Sequence, residues 1–194
     1  LPFVYEPSQI RSLSTKGLKT GKRIQVCAKI DTGMSRLGFM PARLRDLLDA
    51  LALSNGVKIV AAASHLSSAD DPEQREFTRA QAASFREVLE KLAAAGHTPL
   101  EATLANSAAS LAYPEMEMDG IRPGIGIYGA NPFHGTELAH LGDGLKPAME
   151  VLTRVVSVKD LPEGASISYG RTYKAPRAMR VAVVELFFRG FAHV

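Results

Sequence analysis

Hydrophobic and polar positions along the chain fall into blocks whose period switches between two and about four. Residues 23–31 (RIQVCAKID) form a short β-rich run, and the opening LPFVY reads as the end of another strand. Within residues 41–53, Leu44, Leu47, Leu48 and Leu51 share one stripe at helical spacing. Residues 57–65 (VKIVAAASH) have the near-continuous apolar pattern of a parallel strand buried on both faces. A helix is predicted from Asp71-Pro72, where Asp caps and Pro suits the first turn. Phe77, Phe85, Val88, Leu89 and Leu92 form its predicted buried face, and Gly96 ends it in a left-handed conformation. Residues 98–105 make a third strand running into a short helix from Ser107, and residues 125–128 are expected as a fourth strand.

After Gly129 this rhythm is lost. Residues 131–144 are rich in Gly and His without a period and read as a loop. Residues 145–161 (LKPAMEVLTRVVSVKDL) are expected as one long strand, Glu163-Gly164 as a turn, and residues 166–173 and 180–186 as further strands. Strands alternating with helices imply a parallel sheet, open or closed into a barrel, while a tail without a clear helix implies an all-β unit. The expected fold class is therefore α/β, with domains at 1–144 and 145–194. The chain opens on Leu1 in mid-strand, so a trimmed N-terminus or a fragment is expected.

Composition narrows the function classes. Across 194 residues, 46% apolar and 22% charged, a core can be built. The net charge is +3, with Lys and Arg interleaved among Asp and Glu, so no basic stripe for nucleic acid is present. The longest apolar stretches, 59–63 and 181–184, are too short to cross a bilayer. Cys27 stands alone, which excludes a disulfide within the chain and suits a reducing cytoplasm. The five histidines show no paired metal spacing, so no metal is expected, and no Walker A loop or G-x-S-x-G elbow occurs.

In α/β folds, functional groups gather at the carboxyl ends of parallel strands. Lys29 lies inside an apolar strand, where burial depresses an amine's pKa, unless the side chain simply extends to the rim. Arg36, beyond a Gly-containing turn, is either a surface arginine or one folded back to clamp a carboxylate. Ser107, beside Asn106, can cap helix N–H groups, and the same geometry can hold a phosphate. Arg122 directly precedes the expected fourth strand. His65 suits a ligand, a base or a hydrogen-bonded structural histidine. The G-x-G-x-x-G run at 124–129 is not a dinucleotide fingerprint, because it is expected within a strand that leads to Asn131-Pro132 and opens no helix. On these residues alone, Lys29, Arg36, Ser107 and Arg122 form a candidate anion site.

Four strings, KIDTGMSRLG at 29–38, SHLSSAD at 64–70, NSAASL at 106–111 and IRPGIGIYG at 121–129, resemble alanine racemase in order and spacing, with a weaker match at YGRTY, 169–173. The resemblance implies a (β/α)8 TIM-type barrel followed by a β domain, a homodimer, and pyridoxal 5'-phosphate as cofactor. It implies interconversion of L- and D-alanine for cell-wall synthesis. Arg122 would hydrogen-bond the cofactor's pyridine nitrogen with His65 supporting it. Ser107, with Asn106 beside it and the N–H groups of Gly124 and Ile125, would hold the phosphate. Arg36 would bind the substrate carboxylate, with Met34 in the same substrate-binding set. Lys29 matches a position that is often carbamylated, its anion orienting Arg36.

Two features depart from the family pattern. The Schiff-base lysine belongs to a motif ahead of the matched region. The second base, a tyrosine in a Gly-Tyr-Ala-Asp-Gly-like motif after the RVAVV strand, has no counterpart, since residues 185–194 read ELFFRGFAHV. Racemisation needs a base on each face of the Cα carbon, so these 194 residues alone are expected to be an inactive fragment. The retained motifs leave open a serine or broad-spectrum racemase, and a non-catalytic scaffold that binds the cofactor.

Overall fold

Four parallel strands, β1 (Phe3–Val4), β2 (Ile24–Lys29), β3 (Val57–Ala63) and β4 (Glu101–Thr103), pair side by side in chain order. The computed structural model describes residues 1–99, 101–150 and 152–185, which separate into units at Leu1–Ala148 and Met149–Val194. Helices α1 (Pro7–Thr20), α2 (Leu44–Ala52) and α3 (Arg75–Ala94) each cross from one strand to the next, and α4 (Ser107–Ala112) follows β4. Consecutive parallel strands with helical crossovers form part of a (β/α) barrel wall.

Register sorts the strand side chains into two faces. Val26 and Ala28 of β2 are buried in one cluster with Ile59 and Ala62 of β3 and with Leu47, Phe85 and Leu92 of the helices. Each of those three helical side chains is fully buried and contributes about 1.5–3 kcal/mol. Cys27, Ala61 and Ala63 form a second, smaller cluster, and Lys29 pairs with Ala63 in the same row. That row is the one from which side chains reach the barrel interior.

The helices follow their residues. Asp71 caps as expected, its carboxylate accepting the Glu73 N–H at 2.9 Å, and Gly96 is left-handed at φ 80°. Phe77 is an exception: it is 44% exposed, and the inward positions of α3 are Thr78, Gln81, Ala82, Phe85, Val88 and Leu92. Phe77 instead lies over the Gly33 turn, its Cζ 2.9 Å from where a Gly33 Cβ would sit.

Four expected strands differ. The third is confined to Glu101–Thr103, and Leu100 lies outside the described residues. Ile125–Tyr128 is a 3₁₀ turn, not a strand. The ladder beside β4 falls earlier, with Asp119 N–H donating to Ala102 and Arg122 N–H to Ala105. The chain then turns because the Ser107 hydroxyl captures two glycine N–H groups and Gly129 adopts φ 77°. The G-x-G-x-x-G run therefore opens no long helix, but it does not lie in a strand either. Of residues 145–161, only β5 (Val155–Leu161) is a strand. Pro147 lacks an N–H for a ladder, and the Ala148 N–H is taken by Tyr128; Val151 lies outside the described residues.

In the second unit, β5 pairs antiparallel with β8 (Met179–Val184), and β6 (Ser166–Ile167) with β7 (Tyr173–Lys174). Gly164 makes the expected turn at φ 78°. Residues 166–173 are interrupted by a 3₁₀ turn at Tyr169–Arg171, and the expected end of the last strand at Leu186 lies outside the described residues.

Candidate active site

Beyond the carboxyl ends of β3 and β4, a cleft of about 440 Å³ is lined by His65, Asn106, Ser107, Arg122, Gly124 and Ile125, joined by Asp70, Asn131 and His134. Six residues singled out from the sequence thus meet in one place.

Asn106, not Ser107, caps α4. Its Oδ1 accepts the Ala109 N–H at 3.0 Å, and its Nδ2 donates to the Leu66 carbonyl at 3.3 Å. Ser107 is thereby free for other partners, and its Oγ accepts the N–H groups of Gly124 at 2.8 Å and Gly126 at 3.1 Å. An oxygen that accepts two N–H groups keeps its own proton to donate. A Cβ on Gly124 would meet nothing within 4 Å, so the space beside this cradle is open.

Arg122 is largely buried. Its Nη2 donates to the Ser64 carbonyl, while Nη1 is buried with no hydrogen-bond partner among the described residues. Buried polar atoms are nearly always paired, so this donor is available to an acceptor entering the cleft. Burial lowers the guanidinium's pKa, yet an arginine stays cationic at any working pH. His65 lines the same cleft with no hydrogen bond to Arg122. Burial first, then the charges of Arg122, Lys29 and Arg36, lower its pKa and favour the neutral imidazole.

Lys29, Met34 and Arg36 do not line this cleft. The Lys29 amine is half-buried and donates to the Ile30 carbonyl at 3.0 Å. Burial and then Arg122 lower its pKa, with Asp31 opposing. Burial disfavours the charge of Asp31, but the N–H groups of Gly33 and Ser35, both 3.0 Å from Oδ1, outweigh it and hold the carboxyl below its usual range. Arg36, on the turn so formed, is exposed and makes no hydrogen bond or ion pair among the described residues. It does not fold back as a clamp here. The Cys27 thiol, in the Lys29 row, is pushed up to about 11 by burial and stays protonated.

Asp70 and Asn131 were not singled out, although Asp70 ends the string at 64–70 and Asn131 stands two residues beyond the one at 121–129. His134 sits in a loop with no period to mark it. Among the described residues, no helix is long and apolar enough to cross a membrane, and no cluster of His, Cys, Asp and Glu could hold a metal.

Parallel strands with an arginine and a serine cradle at their carboxyl ends define a barrel-type α/β protein whose cleft offers hydrogen-bond donors. The family model for the alanine racemase N-terminal domain matches residues 1–132, and that for the C-terminal domain matches residues 148–192. The chain is 46% identical over 184 residues to an alanine racemase of Nitratidesulfovibrio vulgaris strain Miyazaki F, covering 95% of this chain and 49% of that protein. Among solved structures, alanine racemase from Streptomyces lavendulae is 31% identical with a TM-score of 0.71, over 93% of this chain and 47% of that one. The enzyme from Bacillus anthracis with bound L-Ala-P is 28% identical with a TM-score of 0.71, over 94% and 47%. This chain belongs to the alanine racemase family. It spans about half the length of the curated relatives it matches.

Proposed function

We propose that the protein is a pyridoxal phosphate-dependent alanine racemase, and that these residues supply the side of its pocket that meets the cofactor's ring nitrogen and phosphate. The observation that carries this reading is the buried, unpartnered Nη1 of Arg122 beside the Ser107 cradle. The family uses pyridoxal phosphate, and the donors in the cleft suit it. Arg122 offers one N–H to a ring nitrogen, and Ser107 with the N–H groups around Gly124 and Ile125 suits a phosphate.

When bound, the cofactor supplies an electron sink that eases loss of the Cα proton. The protein's own groups set how that sink behaves. Arg122 is a permanent cation, so it donates to the ring nitrogen without giving up its proton, which limits the sink. A neutral His65 beside it adds no second charge. Arg36 is the candidate for the substrate carboxylate, with Met34 near it. Lys29, its amine made more neutral by burial, is the candidate for uptake of carbon dioxide.

Proton transfer at the two faces of Cα belongs to the lysine and tyrosine motifs of the family, neither of which occurs in these 194 residues. The isolated 194-residue polypeptide is therefore proposed to be inactive, and the full gene product to act in the cytoplasm as a homodimer on alanine for cell-wall synthesis. The test is Arg122→Glu in that product, loaded with pyridoxal phosphate. A changed absorbance spectrum and altered racemisation are expected; an unchanged spectrum and unchanged kinetics remove Arg122 from this role.

A further inference from the structure

Gln81 sits in the middle of α3, 1% exposed, on the same inward face as Ala82, Phe85 and Val88. An amide in such a place costs desolvation unless its oxygen and nitrogen are both used. Both are, and on a single short stretch. Oε1 accepts the Ser67 N–H at 3.1 Å and the Ser67 hydroxyl at 3.2 Å, while Nε2 donates to the His65 carbonyl at 3.3 Å.

The neighbouring carbonyl, that of Ser64, accepts from Arg122 Nη2. Two consecutive carbonyls therefore join α3 to the arginine of the cleft through the residue that carries the imidazole. The same amide nitrogen also lies under the turn after β2. A Cβ on Gly33 would fall 3.2 Å from Nε2, on backbone at φ 137°. Gln81 thus holds the loop bearing His65 and lies close beneath the turn bearing Met34 and Arg36. A leucine would fill the volume more cheaply, so the amide's contribution is its hold on the loop.

We propose that Gln81 is a positioning residue, which from α3 fixes the His65–Ser67 stretch and so sets the imidazole beside the guanidinium of Arg122. The proposal rests on the reading above that Arg122 meets the cofactor. Arg122 and Asp70 line the cleft with His65, and the charges of Arg122, Lys29 and Arg36 all disfavour its imidazolium. The position of the ring among them is therefore legible in its titration.

The experiment uses the full-length gene product loaded with pyridoxal phosphate, as wild type, Gln81→Met and Gln81→Glu. Methionine keeps the bulk and loses every bond. Glutamate keeps an acceptor for Ser67 but turns an oxygen towards the His65 carbonyl, and it serves if the methionine variant does not fold. Ser67→Ala, on a half-buried residue outside the core, removes one of the three Gln81 bonds, together with the hydroxyl contact to Ser68, and should give a smaller change in the same direction. Expected in Gln81→Met, which adds no charge, is a His65 titration, followed by NMR, that moves up towards an ordinary histidine as the ring leaves Arg122. Gln81→Glu, whose carboxylate raises an imidazole by itself, is read through kcat/KM. Cofactor affinity should stay within about twofold, since the Ser107 cradle is untouched, while kcat/KM for alanine falls by about tenfold. A folded Gln81→Met with wild-type His65 titration and wild-type kcat/KM, or a folded Gln81→Glu with wild-type kcat/KM, overturns the proposal. A wild type that takes up no pyridoxal phosphate, or an Arg122→Glu variant with an unaltered spectrum, sinks the reading of Arg122 instead. The His65 titration still decides whether Gln81 holds the loop.

Discussion

The hydroxyls of Thr32 and Ser64 lie 2.8 Å apart, tying the turn after β2 to the end of β3. Ser64 is fully buried, and its carbonyl accepts from Arg122, so turn, strand and arginine meet at one residue. Ser64→Ala and Thr32→Val should each lower stability by about 1 kcal/mol, the usual net worth of such a bond. Because both remove the same interaction, the double variant should lose clearly less than the sum of the singles. Urea unfolding of the four proteins measures this, and strict additivity would show that the two hydroxyls do not interact.

Much of the first unit can be read from periodicity because its strands and its second and third helices each bury a recognisable stripe. α1 could not be. Its inward face is Ile10, Ser14 and Gly17, three residues of which one is a large apolar side chain, so no hydrophobic period exists to detect. Ile125–Tyr128 misled for the opposite reason. It looks β-rich, but the Ser107 hydroxyl, 17 and 19 residues away along the chain, takes the N–H groups of Gly124 and Gly126, and only tertiary structure reveals that. The cleft was more legible than the folds of its loops: Ser107, Arg122 and His65 stand at strand ends whatever the exact backbone there. Gln81 left no signal, since a glutamine among helical surface residues looks solvated.

The small residues of α1 make a sharper case. A Cβ on Gly17 would lie 2.2 Å from the Gly56 carbonyl oxygen, and one on Gly56 would lie 2.2 Å from that of Ser14. The Ser14 hydroxyl accepts the Gly56 N–H at 3.1 Å across the same crossing. In an open helix Gly→Ala gains about 1 kcal/mol. Here Gly17→Ala should instead lose about 1–3 kcal/mol through overpacking against backbone, read as a lowered urea midpoint. A stabilised Gly17→Ala protein would mean that the helix does not approach this closely.

Ser107→Ala deprives two N–H groups of their acceptor and the proposed phosphate site of a hydroxyl. With hydrogen bonds to charged groups worth about 1.5–3 kcal/mol, pyridoxal phosphate affinity should weaken by roughly ten- to a hundredfold. Equilibrium titration of the full gene product with the cofactor measures it. Asn106→Ala, which removes the cap of α4, should cost about 1 kcal/mol of stability and affect affinity less. If the two variants weaken binding equally, the cradle is not a phosphate site distinct from the cap.

The histidine of the cleft gives stability a pH dependence whose sign follows from its surroundings. Burial, Arg122, Lys29 and Arg36 all disfavour the imidazolium, so the folded pKa lies below the ordinary value near 6.5. Between those two values the unfolded chain binds more protons than the folded one, so stability falls as pH drops through that window and levels off below it. Asp31 adds nothing there, because its carboxyl is held below the usual carboxylate range and loses its contribution only in stronger acid. The stability of wild type minus that of His65→Asn isolates the histidine from every other group. Urea midpoints between pH 7.5 and pH 5 should show that difference shrinking as the solution is acidified. A difference that stays level across the range would place His65 in water rather than among the three cations.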